Sequence, residues 1–186
     1  MTVDTLNILV RPSTDDDVPA MLAIYRHHIE RGVGDLGTFE PEPLKEDDLK
    51  ARRKNMKKHR LPHLVAERDG MVAAYAYAVP FRKRPAYRFT LKHSIYVHPD
   101  YLKSGIGRTL LPALIDACAA TGYRQMIGYI DSANIPSLNL HEACGFRQVG
   151  LLPSVGYKYG HWVDAVLVQR ALGAGDTEPP GPWLGL

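Results

Sequence analysis

Hydrophobic and polar positions alternate over residues 6–11, which predicts a strand. The acidic run Asp15, Asp16 and Asp17, set just after Ser13 and Thr14, predicts a capped helix start. Val18, Met21, Leu22, Tyr25 and Ile29 then recur at helical spacing and lay one apolar stripe along that helix until Gly32 and Gly34 stop it. Residues 34–43 read as a loop and 45–59 as a second helix. Segments 63–68 and 71–81 flank Asp69-Gly70, a hairpin turn signal. A further strand is predicted over 89–97, ended by Pro99 and Asp100. The helix that follows starts near Gly105 and buries Leu110, Leu111, Leu114, Ile115 and Cys118; residues 125–130 read as a buried strand. Pro136 suits a first helical turn, and Gly145 ends that shorter helix just after Cys144. Strands near 147–152 and 162–171 complete the pattern.

A chain of 186 residues fits one domain that buries a core without disulfides or metal. That domain is predicted over residues 1–172. The Gly- and Pro-rich tail, 173–186, has no periodicity and reads as mobile, with Trp183 its one candidate for docking. No apolar run is long enough to span a bilayer, so no membrane role is expected. The first seven residues lack the basic start and apolar centre of a secretory leader, which predicts a cytoplasmic protein. A net charge of +3, with bases scattered among acids, argues against a nucleic-acid partner. The densest basic stretch, 50–60, reads as a solvated helix face. Cys118 and Cys144 lie in helical patterns without His or Cys at ligand spacing, so reduced thiols and no metal are expected.

Chemistry concentrates in VHPDYLKSGIGRTLL, residues 97–111, where Gly105 and Gly107 stand between Lys103 and Arg108 as strand gives way to helix. A helix start presents unpaired N–H groups and a positive dipole end, and glycine lets an anion approach the backbone. Gly-x-Gly alone is a weak signal. A Walker loop would continue with Lys and Ser or Thr, but Arg108 and Thr109 follow Gly107. A dinucleotide fingerprint would need glycine or alanine at Leu110. On these residues alone, a glycine-led helix start without any ligand stays open.

The same run resembles the cofactor-binding motif Q/R-x-x-G-x-G/A of the GNAT superfamily of N-acetyltransferases. NIPSLNLHEACGF, residues 134–146, is similar to that superfamily's Asn-containing loop and short helix ending in Gly-Phe. TFEPEP from Thr38, VPFRKRPAYRFT from Val79 and GYKYGHWVD from Gly156 resemble the phosphinothricin and methionine sulfoximine acetyltransferase branch, as does histidine at 141. The resemblance implies an α/β (α+β) fold: a mixed, mostly antiparallel sheet of about seven strands, splayed at the cofactor site, with about four flanking helices. It also implies acetyl-CoA as cosubstrate, a small-molecule amine as acceptor, direct transfer in a ternary complex, and a homodimer.

Residue roles follow from the resemblance. Ile95, Tyr96 and Val97 occupy the strand whose backbone bonds the pantetheine and the thioester carbonyl, where a fixed N–H is worth about 3 kcal/mol to the oxyanion. Backbone groups of Lys103, Ser104, Gly105, Ile106, Gly107 and Arg108 take the pyrophosphate, and Asn134 the pantetheine arm. Leu102 stands where the family has Gln or Arg. His141 either gives a proton to the departing thiolate or orients the cofactor. Arg82, Lys83 and Arg84 lead to Tyr87 beside the acceptor, where arginine grips a carboxylate or phosphinate bidentately; His93, Ser94 and Phe39 join that pocket, with Glu40 beside Phe39. Without the resemblance, the Arg82 loop reads as solvated surface.

Lys92 is the largest departure, because the family usually carries there a glutamate that removes the ammonium proton. A lysine ammonium accepts no proton unless desolvation takes its pKa far below about 10.4, and it repels an ammonium substrate. Three explanations stay open: relay to another acceptor such as His93, a different acceptor substrate, or a degenerate acetyl-CoA-binding protein with weak or no catalysis. Acetylation of a protein terminus is a further rival.

Overall fold

The structure is a computed structural model that describes residues 7–30 and 45–182. Strand β1 (Ile8–Pro12) runs into a single 3-10 turn, Asp15–Asp17, before helix α1 (Val18–Glu30) begins. The acidic start acts as the sequence implies: Asp17 Oδ2 accepts the Thr14 N–H at 2.6 Å. Arg11 also grips Asp17 through two nitrogens at 2.8 Å each, which fixes α1 to β1. Helix α2 (Glu46–Lys58) is anchored by the buried Arg53, which donates to Ser13 Oγ at 2.8 Å and pairs with Asp15.

Strands β2 (His63–Arg68) and β3 (Met71–Pro80) form the Asp69-Gly70 hairpin, and β4 (Thr90–Val97) pairs antiparallel with β3. Helix α3 (Ile106–Ala120) leads to β5 (Gln125–Asp131), α4 (Ile135–Ala143) follows, and β6 (Arg147–Lys158) and β7 (His161–Ala171) close the chain. The seven strands make one sheet in the order β1-β2-β3-β4-β5-β7-β6, antiparallel except where β4 meets β5.

Strand alternation sorts the side chains onto two faces. Tyr75, Tyr77, Ser94, Tyr96 and Lys92 share one face by register, and α1 lies there, with the Tyr25 and Tyr96 ring centroids 5.4 Å apart. Ala74, Ala76 and Ala78 share the other face with His93 and Ile95. Those small side chains admit α3, whose Leu110, Leu111, Leu114, Ile115 and Cys118 are all buried.

Two expectations need correction. Strand β6 does not stop near Leu152 but continues to Lys158, past an irregular register between Leu152 and Gly156 that absorbs Pro153. The start of the tail is held in place. Leu172 donates to the Arg124 carbonyl at 2.9 Å, and Arg124 Nη2 reaches the Pro179 carbonyl at 3.3 Å and lies 3.6 Å from Glu178. Trp183 lies outside the described residues. Among those residues, no helix is long and apolar enough to cross a membrane.

Candidate active site

The site begins where β4 and β5 part. Their parallel ladder lasts for three register pairs, Thr90 with Gln125, Leu91 with Met126 and Lys92 with Ile127, although both strands run on. Among the described residues, His93 to Val97 have no ladder partner on β5. The splay expected at the cofactor site is therefore present.

Which backbone groups face the gap follows from the ladder with β3. His98 N–H donates to Ala73 at 2.8 Å, and Thr90 accepts from Phe81 at 3.0 Å, so even-numbered residues of β4 turn their backbone toward β3. Ile95 and Val97 turn theirs toward the gap. Tyr96 does not, which corrects its place among the cofactor contacts: its backbone belongs to the β3 side and its ring packs on α1. The Val97 carbonyl already accepts from His28 Nε2 at 2.8 Å, so the N–H groups of Ile95 and Val97 and the Ile95 carbonyl are what the strand offers.

At the far end of β4 the chain makes a 3-10 turn, Pro99–Tyr101, then Lys103 at φ 59° and Gly105 at φ 84°. Ser104 Oγ donates to the Tyr101 carbonyl and holds this turn. The first amide bonded within α3 is that of Thr109, to the Gly105 carbonyl at 3.2 Å, so the N–H groups of Ile106, Gly107 and Arg108 point off the helix start. Gly105 supplies the left-handed conformation. Gly107 has a packing reason as well, since a Cβ there would lie 3.0 Å from Leu140 Cδ2 of α4. Lys103 and Arg108 are exposed beside the turn, and the Ile106 side chain is core. Leu102 is exposed and spends its N–H on the Pro99 carbonyl at 3.3 Å.

Asn134 caps α4, its Oδ1 accepting from Ser137 N–H at 2.9 Å, which leaves only the Nδ2 donors for a ligand. One turn on, His141 is buried, with Nδ1 2.7 Å from the Ser137 carbonyl. Its Nε2 lies 2.9 Å from Nε2 of His93, whose Nδ1 is 3.0 Å from the Ile127 carbonyl at the point of splay. Burial pushes the His93 pKa down to about 3, the charge of His141 adding to the effect, and burial also lowers His141.

The acceptor residues divide. Lys92 and Ser94 lie on the α1 face, with the exposed Lys92 ammonium 5.9 Å from the Tyr129 ring centroid, while His93 lies on the α4 face. His93 therefore does not line one pocket with Lys92 and Ser94, because neighbouring strand residues point to opposite sides. Arg82, Lys83, Arg84 and Tyr87 are all exposed in the loop before β4, where Arg82 lies over Phe81 at 5.0 Å and Phe81 packs edge-on against Tyr87 at 5.6 Å. The length of β4 separates that loop from the glycine turn, roughly 25 Å. Phe39, Glu40 and the TFEPEP run lie outside the described residues. Cys144 is buried and its thiol is pushed up by that burial, as is Cys118, to about 12, so neither is an activated nucleophile.

Two features escape sequence reasoning. Gly128 leaves room for His93, since a Cβ there would lie 2.9 Å from His93 Cε1 and 2.9 Å from Val168 Cγ2. A lone glycine within a strand pattern is the signal that was available. The His28 bond to Val97 has no sequence signal.

An open seam in a mixed sheet, ending at a glycine-led helix start, is matched by comparison with known proteins: residues 23–146 match the model of the acetyltransferase (GNAT) family. The chain belongs to that family. A GNAT relative, the phosphinothricin N-acetyltransferase of Alcaligenes faecalis, is 50% identical over 172 residues, covering 92% of this chain and 86% of that protein. The L-methionine sulfoximine/L-methionine sulfone acetyltransferase of Pseudomonas aeruginosa is 34% identical, covering 88% of this chain and 94% of its own. Among solved GNAT structures, a phosphinothricin acetyltransferase from Sinorhizobium meliloti in complex with AcCoA superposes with a TM-score of 0.88 at 38% identity, covering 94% of both chains.

Proposed function

We propose that this chain transfers acetyl from acetyl-CoA to the amine of a small amino-acid-like acceptor of the phosphinothricin or methionine sulfoximine type. The observation that carries this reading is the seam between β4 and β5, which exposes backbone donors and leads to the free N–H groups of α3. Ile95 and Val97 hold the pantetheine and the thioester end, residues 103–108 the pyrophosphate, and Asn134 Nδ2 the pantetheine arm. A backbone N–H fixed in the seam needs no reorganisation as negative charge develops on the thioester oxygen. Arg82, Lys83, Arg84 and Tyr87, together with Ser94 and Phe39, address the acceptor's acidic end. Attack is direct, since neither thiol is activated.

The rival reading, a binding protein without turnover, finds no support among relatives named as N-acetyltransferases. Thiol release from acetyl-CoA, measured against amino acids, phosphinothricin, methionine sulfoximine, polyamines and a protein N-terminal peptide, tests the proposal. Release is expected with phosphinothricin or methionine sulfoximine. Release with none of the panel, in the native chain and in Lys92→Glu alike, would sink it.

We also propose a homodimer built on the β6–β7 hairpin. Val149, Leu151, Val155, Tyr157 and Trp162 are 48% to 66% exposed there, more apolar surface than one edge of a lone domain normally leaves open. Light scattering is expected to give twice the chain mass, and Trp162→Glu to halve it.

A further inference from the structure

Charge on the α1 face of the sheet is one-sided around the seam. On β3, β4 and β5 the register puts a single carboxylate on that face, Asp131, and its Oδ1 is occupied by the Ala133 N–H at 2.9 Å. The cations there are open. Lys92 is exposed, its ammonium 5.9 Å from the Tyr129 ring centroid, and among the described residues it forms no ion pair. A ring beneath an exposed ammonium holds it weakly and leaves its three N–H donors for a ligand. Arg52 of α2 reaches the same face, where Nη1 lies 3.5 Å from the hydroxyl of Tyr77, the cross-strand partner of Ser94. It too forms no ion pair among the described residues, whereas its neighbour Arg53 is buried and paired with Asp15.

Lys92 also stands between the two ends of an acceptor. It belongs to the last register pair before β5 parts from β4, opposite Ile127. Before it comes the exposed loop of Arg82, Lys83 and Arg84; three residues after it, roughly 10 Å along the strand, is Ile95, whose N–H faces the seam. An acceptor whose amine meets the thioester beside Ile95 therefore has its other end within the reach of the lysine arm. Charge then decides which acceptors gain. An amino acid with a neutral side chain is a zwitterion, and a field of cations attracts its carboxylate about as much as it repels its ammonium. A side chain ending in a second acid adds one net negative charge, which a glutamate at this position would repel and a lysine attracts.

We propose that Lys92 is a specificity-determining residue of the acceptor site, its ammonium selecting amino acids whose side chain ends in a second acid, a phosphinate or a carboxylate, over those whose side chain is neutral. This rests on the proposed acetyl transfer. Arg52 strengthens the same preference from α2, and the Arg82 loop takes the other acidic group.

Phosphinothricin and L-methionine sulfone test this, because they share one skeleton, with phosphorus in one where the other has sulfur, and differ by one negative charge on the side chain. In the native chain kcat/KM is expected to be at least about tenfold higher for phosphinothricin, the worth of one charge-assisted hydrogen bond. Lys92→Met, which keeps the length of the arm and removes its charge, is expected to lower that ratio about tenfold, mostly through KM for phosphinothricin, and Lys92→Arg to preserve it. A lysine that only supported the fold would affect both acceptors alike and leave the ratio where it was. A ratio unchanged in Lys92→Met, or a native preference for the sulfone, overturns the proposal while acetyl transfer itself stands. A second arm needs no turnover: calorimetry on the CoA complex is expected to show the ratio of the two dissociation constants shifting about tenfold in Lys92→Met. If no acceptor releases thiol, acetyl transfer fails and this ratio still decides the role of Lys92. An equal ratio in the native and Lys92→Met complexes, or no binding of phosphinothricin to the native complex, overturns it.

Discussion

Gly128 gives up a side chain so that His93 can lie across its strand, and the same crowding makes it a sensitive probe. Gly128→Ala places a methyl 2.9 Å from both His93 and Val168, neither of which has slack. A cost of about 1–3 kcal/mol in urea unfolding is expected, with kcat falling more than KM for acetyl-CoA rises. Other single residues behave differently. Gly105 and Gly107 were legible in the sequence because the run around them resembles a family motif, yet Gly107 owes its lack of a side chain to Leu140 as well. The lysine at 92 could be read as a reversed charge, and alternation along the predicted strand already puts His93 on the other face, but nothing local shows that His93 meets a residue 48 positions away. Contact between distant segments is decided by how helices dock, which local periodicity does not encode.

Helix α4 carries two jobs through one residue. Asn134 Oδ1 caps the helix on Ser137, and the Ser137 carbonyl holds His141. Asn134→Ala is expected to lose about 1 kcal/mol of stability along with acetyl-CoA affinity. Asn134→Asp keeps the cap and removes the Nδ2 donors, so it is expected to hold its thermal midpoint while KM for acetyl-CoA rises; an unchanged KM in Asn134→Asp would reduce Asn134 to a cap. Nearly every element was foreseeable from apolar spacing and turn residues, the Asp69-Gly70 hairpin most directly. The length of β6 was not, because Pro153 reads as a strand terminator and only the partner strand β7 shows the chain resuming its ladder at Gly156.

For the molecule as a whole, acid sensitivity is set partly by His63, buried with its ring stacked near Tyr75 and Tyr77. Burial first, then Arg53 and Arg52, pushes its pKa down to about 3. An unfolded imidazole takes its proton near 6.5, so the unfolded chain binds more protons in between. The contribution of His63 is full above about pH 6.5 and is lost as the pH falls toward about 3. Thermal midpoints are expected to decline over that window, with a shallower slope in His63→Phe. The three-pair join between β4 and β5 has a consequence of another kind. It divides the backbone into two blocks stitched by very few amide bonds, so the amides of Ile95 and Val97 should exchange with deuterated solvent fast in the free protein. A ligand laid along the seam would supply the missing stitches, slowing exchange at both positions and making the two halves of the sheet open as one unit.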